Sequence, residues 1–301
     1  MIIRSVVSAV LLLVLYTILI ISFQGYVKHS GQTTLQRNMV KAEDYLFEAN
    51  GHFDTVLVGS SMSERLIMDS LPRGCYNLAM AGFSSLDGLQ LIKQSTHWPR
   101  LIYIELNTLD RGHTSDAIQE FNDSRQQFLK QYFPFMRQKY QPIGVIKSLL
   151  RDWKYSQAQF VDFGISVPFD TTFQEKAIQE KLKEMEYVPA DSSLRKDMQI
   201  AGNYIDAFRR KGVKVIFFEL PIDIRLQNHR RTAVARQYLS NRFSASQYPI
   251  INAPADAYLT NDGIHLTRSE NIRYTVYLSQ KLHQLADSSL LSNSTKAGTG
   301  L

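Results

Sequence analysis

An aspartate and a histidine three residues apart, and a pair of serines far upstream, are the residues of this chain whose types and spacing suit proton transfer and nucleophilic attack. Asp262 and His265 stand in Leu259-Thr260-Asn261-Asp262-Gly263-Ile264-His265-Leu266. In a loop entering a helix, that spacing lets a carboxylate orient an imidazole and stabilise it once it carries a proton. A histidine is the side chain best suited to take a proton from a serine hydroxyl near neutral pH. Alone, the pair reads equally as a helix cap or as two metal ligands, although no third ligand cluster accompanies it. Gly59-Ser60-Ser61-Met62 places hydroxyls where an apolar run turns into helical spacing. Backbone N–H groups at such a turn favour developing negative charge, while either serine also suits a helix cap. Gly82, in Asn77-Leu78-Ala79-Met80-Ala81-Gly82, permits a left-handed backbone or a close ligand, or is an ordinary loop glycine. Asn107 offers an amide donor at the end of another apolar run, or holds a turn.

Five apolar runs must position these groups. Asp54–Gly59, Cys75–Leu78, Leu101–Asn107, Val213–Leu220 and Pro249–Asn252 read as short buried strands. Helical spacing follows around Met62, Leu66 and Ile67, from Leu86 to Ile92, from Ser193 to Arg210 before Gly212, and from Ser269 to Ala286. Asp170 reads as the N-cap of a charged helix through Glu186. Strands alternating with helices predict a parallel sheet covered on both faces, and such sheets bind ligands outside the carboxyl ends of their strands. Ser61, Gly82 and Asn107 all follow predicted strand ends.

In that order the pieces resemble the SGNH (GDSL) hydrolases over about residues 53–110 and 195–285. Gly59-Ser60-Ser61-Met62 stands at the family's Gly-Asp-Ser-Leu block with Ser61 at the nucleophile; Gly82 and Asn107 match its two further oxyanion-hole positions; Asp262 and His265 match its terminal Asp-x-x-His. The resemblance implies an α/β fold, a three-layer α/β/α sandwich on a five-stranded parallel sheet, and no cofactor or metal. It implies a catalytic set of Ser61, Asp262 and His265, with an oxyanion hole from Ser61, Gly82 and Asn107. Two departures are evident: Ser60 replaces the first-block Asp, and Glu105-Leu106-Asn107-Thr108 replaces Gly-x-Asn-Asp. They resemble the membrane-tethered branch associated with O-acylation of cell-surface polysaccharides. The expected function is therefore a membrane-anchored esterase or O-acyltransferase acting on acyl esters, acetyl above all, of an extracytoplasmic glycan. Its rival is a non-catalytic accessory subunit that binds the glycan or a multi-span acyltransferase.

The stretch from about 110 to 192 falls outside the resemblance and reads as an insertion or cap. Its aromatics Tyr132, Phe133, Phe135, Tyr140, Trp153 and Tyr155 suit a glycan groove or, more simply, the core of a helical cap. Its cations Lys130, Arg137, Lys139, Lys147, Arg151 and Lys154 suit acidic polymer or lipid headgroups, or a solvated face.

From Ser5 to Phe23 the chain carries no charge. As helix these residues span roughly 28 Å, the thickness of a bilayer's hydrocarbon. Gln24, Tyr26 and Lys28 follow, and the poor cleavage site at Ser22-Phe23-Gln24 favours an uncleaved anchor over residues 1–28. Arg4 favours a cytoplasmic amino terminus, which puts the domain at 53–287 outside a bacterial inner membrane. Residues 29–52 read as a juxtamembrane helix or linker, and 288–301 as a disordered tail. The composition, 44% hydrophobic and 21% charged with a net charge of +6, is that of a globular protein. No basic-aromatic alternation points to nucleic acid. The single Cys75 excludes an intrachain disulfide and reads as a small core residue.

Overall fold

The computed structural model describes residues 2–23, 25, 27, 31, 33–49, 51–114, 116–155 and 169–297. Gln24, Tyr26, Lys28 and the side chains of Arg151, Trp153, Lys154 and Tyr155 lie outside the described residues. Five strands, β1 (Thr55–Val58), β2 (Cys75–Asn77), β3 (Leu101–Glu105), β4 (Lys214–Phe218) and β5 (Ile250–Ile251), form one parallel sheet in the order β2-β1-β3-β4-β5. All five coincide with the apolar runs of the sequence. The helices are α1 (Ile2–Phe23), α2 (Thr34–Glu43), α3 (Ser61–Glu64), α4 (Ser85–Gln94), α5 (Ser124–Tyr132) and α6 (Pro142–Tyr155). Then come α7 (Thr171–Met185), α8 (Asp191–Arg210), α9 (Ile224–Gln227), α10 (Arg230–Arg242) and α11 (Arg268–Ala297).

Strand pleating sends alternate residues to opposite faces, and both faces are buried. Leu57, Tyr103, Phe218 and Ile251 pack on one side with Tyr274, Leu278 and Leu282 of α11. On the other side Val56, Val58, Ile102, Ile104 and Phe217 are buried, with Gly88 of α4 lying against Val58 and the Phe217 ring 5.0 Å from that of Phe243. The strand order reverses direction between β1 and β3, and at such a switch point a crevice opens beyond the carboxyl ends.

Four elements differ from the sequence reading. The helix after β1 ends at Glu64, because Leu66 N–H bonds back to Ser63 O and tightens the chain. The closing helix passes Ala286 and runs to Ala297, so the tail expected from Ser288 begins as helix; no Gly or Pro interrupts it before Gly298. Helices α9 and α10 carry no apolar stripe to announce them, and α10 buries only Leu239.

The chain forms two compact units. One holds residues 1–50, 94–96 and 115–163; the sheet unit holds 51–93, 97–114 and 164–301. The stretch 110–192 is thus not one insertion: α5 and α6 cluster with the amino-terminal segment, and α7 with the sheet. In the first unit, α1 has the length and hydropathy of a membrane span, features it shares with signal sequences. There the cations that suited either acidic polymer and lipid or a solvated face are already paired. Lys130 binds Glu43 and Glu120, Arg137 binds Glu48, and Lys139 binds Asp44 and Glu48. Long side chains that turn inward to carboxylates leave no charge for an outside polyanion, and only Lys147 of the described set is exposed and unpaired among the described residues. Tyr140 is buried and Phe135 packs beside it, whereas Tyr132 and Phe133 are exposed. Cys75 is half-buried against the sheet core, and burial pushes its thiol up to about 12.

The Asp170 carboxylate caps α7, accepting from the Thr172 and Phe173 N–H groups. Replacing Asp170 with Ala should lower stability by about 1 kcal/mol in denaturant unfolding, and Asp170→Ser should restore most of it.

Candidate active site

The turn that carries the serines is built on a buried carboxylate. Glu105, the last residue of β3, is fully buried. Its Oε2 accepts from the Ser60 N–H at 2.8 Å and from the Ser63 hydroxyl, and its Oε1 accepts from the Ser60 hydroxyl at 2.8 Å. No basic side chain pairs with it among the described residues; these donors, together with the Thr108 hydroxyl at 3.5 Å from Oε1, offset the loss of water. Gly59 belongs to the same device: a Cβ there would stand 2.4 Å from Glu105 Oε2 and 2.7 Å from Ser63 Oγ. The Ser60 hydroxyl also accepts from Met62 N–H and caps α3. Ser60 is therefore the cap, which leaves the Ser61 hydroxyl outside that role.

Ser61 Oγ lies 2.7 Å from Nε2 of His265. His265 Nδ1 lies 2.8 Å from Asp262 Oδ2, and Asp262 Oδ1 accepts from the His265 and Ile264 N–H groups. The tight loop that allows this is closed by Asn261 N–H to His265 O and by Gly263 N–H to the Thr260 hydroxyl. At Gly263, φ is +91° and a Cβ would meet Ile178 and Leu226 at 2.9 Å, so no larger residue fits. Gln174 of α7 holds the loop from outside through Thr260 O at 2.6 Å. Burial pushes the Asp262 carboxyl up, but the ring and backbone hydrogen bonds from His265 and Ile264 outweigh it and hold the group well below the usual carboxylate range. These bonds favour the carboxylate form of Asp262.

The remaining predicted residues follow the carboxyl ends of β2 and β3. The ladder between β1 and β2 continues beyond both strands through Met80 N–H to Gly59 O, which sets Met80, two residues before Gly82, beside the start of the serine turn. Gly82 has φ +78°, and a Cβ there would meet nothing within 4 Å, so its backbone angle rather than crowding calls for glycine. Among the described residues, neither the Ser61 N–H nor the Gly82 N–H has a partner. Asn107 is more engaged than the sequence suggested: its Oδ1 accepts from Leu220 N–H and its Nδ2 donates to Leu220 O, which ties the ends of β3 and β4. One amide hydrogen is left to face a ligand.

Two neighbours escaped the sequence reading. Glu105 was seen only as a departure at the strand end, although an acid closing an otherwise apolar strand is itself a signal. Lys181 stands 3.9 Å from Asp262 Oδ2 on α7, hidden in the charged run Glu180-Lys181-Leu182-Lys183-Glu184. A cavity of about 590 Å³ opens beside the site, bounded by Met62 and Ile264, the chain neighbours of Ser61 and His265, and by Asn107, Lys181, Ile222 and Leu226. Its walls mix charges of both signs with apolar surface. Among the described residues no group of three His, Cys, Asp or Glu is placed to hold a metal ion.

Removing the Glu105 carboxylate leaves the Ser60 N–H buried without a partner, at a cost of about 1–3 kcal/mol plus that of the cavity. Glu105→Ala should lower the unfolding free energy by at least that much, whereas Glu105→Gln, which keeps one acceptor, should lose less. Equal stability of all three forms in denaturant titration would contradict this account of the turn.

No family model and no curated protein matches the chain. A solved structure described as a "putative platelet activating factor from Streptococcus pneumonia" is similar over 82% of this chain and 91% of its own, with 11% sequence identity and a TM-score of 0.41. A likeness of that degree assigns no activity, so the site's own geometry carries the functional reading.

Proposed function

We propose that this chain is an SGNH-type serine esterase or O-acyltransferase, anchored by α1, that acts on acyl esters of a polysaccharide outside the cytoplasm. The observation that carries the reading is the unbroken line from the Ser61 hydroxyl through His265 to Asp262, with links of 2.7 and 2.8 Å. Those distances lie within the range that nucleophile–base pairs need.

In the proposed reaction Ser61 Oγ bonds to the ester carbonyl carbon while its proton passes to His265 Nε2. Asp262, held as a carboxylate, stabilises the resulting imidazolium. The negative oxygen of the tetrahedral intermediate meets the free N–H groups of Ser61 and Gly82 and the remaining amide hydrogen of Asn107, each worth on the order of 3 kcal/mol. Collapse breaks the bond to the sugar oxygen, which leaves with the proton from His265. Water or a second sugar hydroxyl then attacks the acyl-Ser61 ester, giving its proton to His265, and Ser61 is regenerated. Acetyl is the acyl group we favour, and the polymer would be presented at the cell surface. The Arg4 side of α1 would face the cytoplasm, making the protein a single-pass component of a bacterial inner membrane.

The full chain in detergent should react with a fluorophosphonate probe and cleave a chromogenic acetyl ester. Ser61→Ala should abolish labelling while Ser60→Ala retains it in a folded protein, and His265→Ala should slow ester turnover by about 10³-fold or more. Labelling unchanged in Ser61→Ala would overturn the assignment. A chain that labels at Ser61 yet leaves the small ester intact would point to transfer onto a particular acceptor.

A further inference from the structure

Helix α6 presents an apolar face that the described residues of its own unit leave exposed. Val145 and Ser148 are buried, and Gly144 lies between them and the surface. The other side carries Leu149, Ile146, Leu150 and Ile143, which are 41%, 57%, 59% and 70% exposed. At 100° per residue these four occupy an arc of about 120°, the width of a face that a neighbour normally buries. Exposed Lys147 borders it. Water is a poor solvent for such a stripe, which at about 25 cal/mol per Å² favours any apolar cover.

The same unit shows which cover is at hand. The carboxy-terminal third of α1 packs on the segment just before α6: Tyr16 donates a hydrogen bond to Tyr140 O at 2.7 Å, and Ile20 lies in one cluster with Tyr140 and Val145. Tyr16 stands seven residues before Phe23, about 10 Å along a helix rising 1.5 Å per residue. If α1 crosses a bilayer through its uncharged run, the Tyr140 carbonyl is drawn about 10 Å below the helix end. That is the depth at which amphipathic helices rest between headgroups and acyl chains. Helix α6 begins two residues later.

We propose that α6 is an interfacial membrane helix, its Ile143–Ile146–Leu149–Leu150 face seated in the lipid acyl boundary beside α1. Lys147 at the border extends toward lipid phosphates, its stem along the apolar surface. The inference rests on the anchor reading of α1, and it adds that the unit is held at two places on the membrane, a span and a surface helix, rather than swinging from a single tether.

The test places an environment-sensitive fluorophore on single introduced cysteines of the full chain, reconstituted in phosphatidylcholine–phosphatidylglycerol vesicles. Native Cys75, half-buried with its thiol pushed up to about 12, competes poorly for label. Ile146→Cys and Leu150→Cys are compared with Leu12→Cys in α1 and with Lys196→Cys on the exposed side of α8. Labels at 146 and 150 should be quenched by lipids carrying a nitroxide near the carbonyls and shielded at least threefold from aqueous iodide relative to 196. Iodide quenching at 146 and 150 equal to that at 196, with position 12 still lipid-quenched, would overturn the interfacial helix and leave the anchor standing. Iodide access at 12 as well would overturn both. Shielding of 146 and 150 from both quenchers would mean a protein, such as a second copy, covers the face, and would overturn the lipid assignment.

Discussion

The buried carboxylate of Glu105 is the constraint on which the site depends. It closes β3 directly opposite the end of β1, where the parallel register sets Val58 beside Ile104. A charge at that depth is stable only if donors surround it, and the donors available are those of the turn that presents Ser61. The need to satisfy one side chain therefore fixes the path of the chain from β1 into α3, and with it the place of the hydroxyl. Gly59 follows from the same requirement, since the carboxylate occupies the space where a Cβ would be.

The sheet was legible in the sequence because parallel strands buried on both faces read as continuous apolar runs, and all five runs became strands. Asp170 was legible for a similarly local reason: a cap needs only a short acid before a helical pattern. What could not be read is whatever depends on a partner distant in sequence. The Glu105 carboxylate makes its shortest hydrogen bonds with residues 42 to 45 positions away, and Lys181 meets Asp262 across 81 positions. Asn107 follows the end of β3 as the sequence indicates, yet its pair of hydrogen bonds with Leu220 depends on β4 lying next to β3, which the sequence pattern does not order.

The amino-terminal unit shows the opposite balance. Its cations look like a surface for polyanions when read along the chain, but Lys130, Arg137 and Lys139 turn inward to Glu43, Asp44 and Glu48. These acids come from the segment read as a juxtamembrane helix or linker, which carries α2. Burial pushes Asp44 up to about 6 despite the neighbouring Lys139, with Glu48 adding to the rise, so the network holds its charges against a desolvation cost. Pairs of that kind orient segments more than they stabilise them. Here they knit residues 34–48 to residues 120–140, which makes a folded body out of what would otherwise be a stalk.

The Asp262–His265 loop has a property that its closeness to Ser61 obscures. The hydrogen bonds that shape the Asp262–His265 pair come from residues 259–267, from Gln174 of α7 and from Asp223 before α9, and among the described residues a single hydrogen bond joins that loop to the serine turn. The two halves of the candidate site are thus shaped separately and meet at that contact. Loss of the Ser61 hydroxyl would therefore leave the crevice in place, with an ordered imidazole still on its rim.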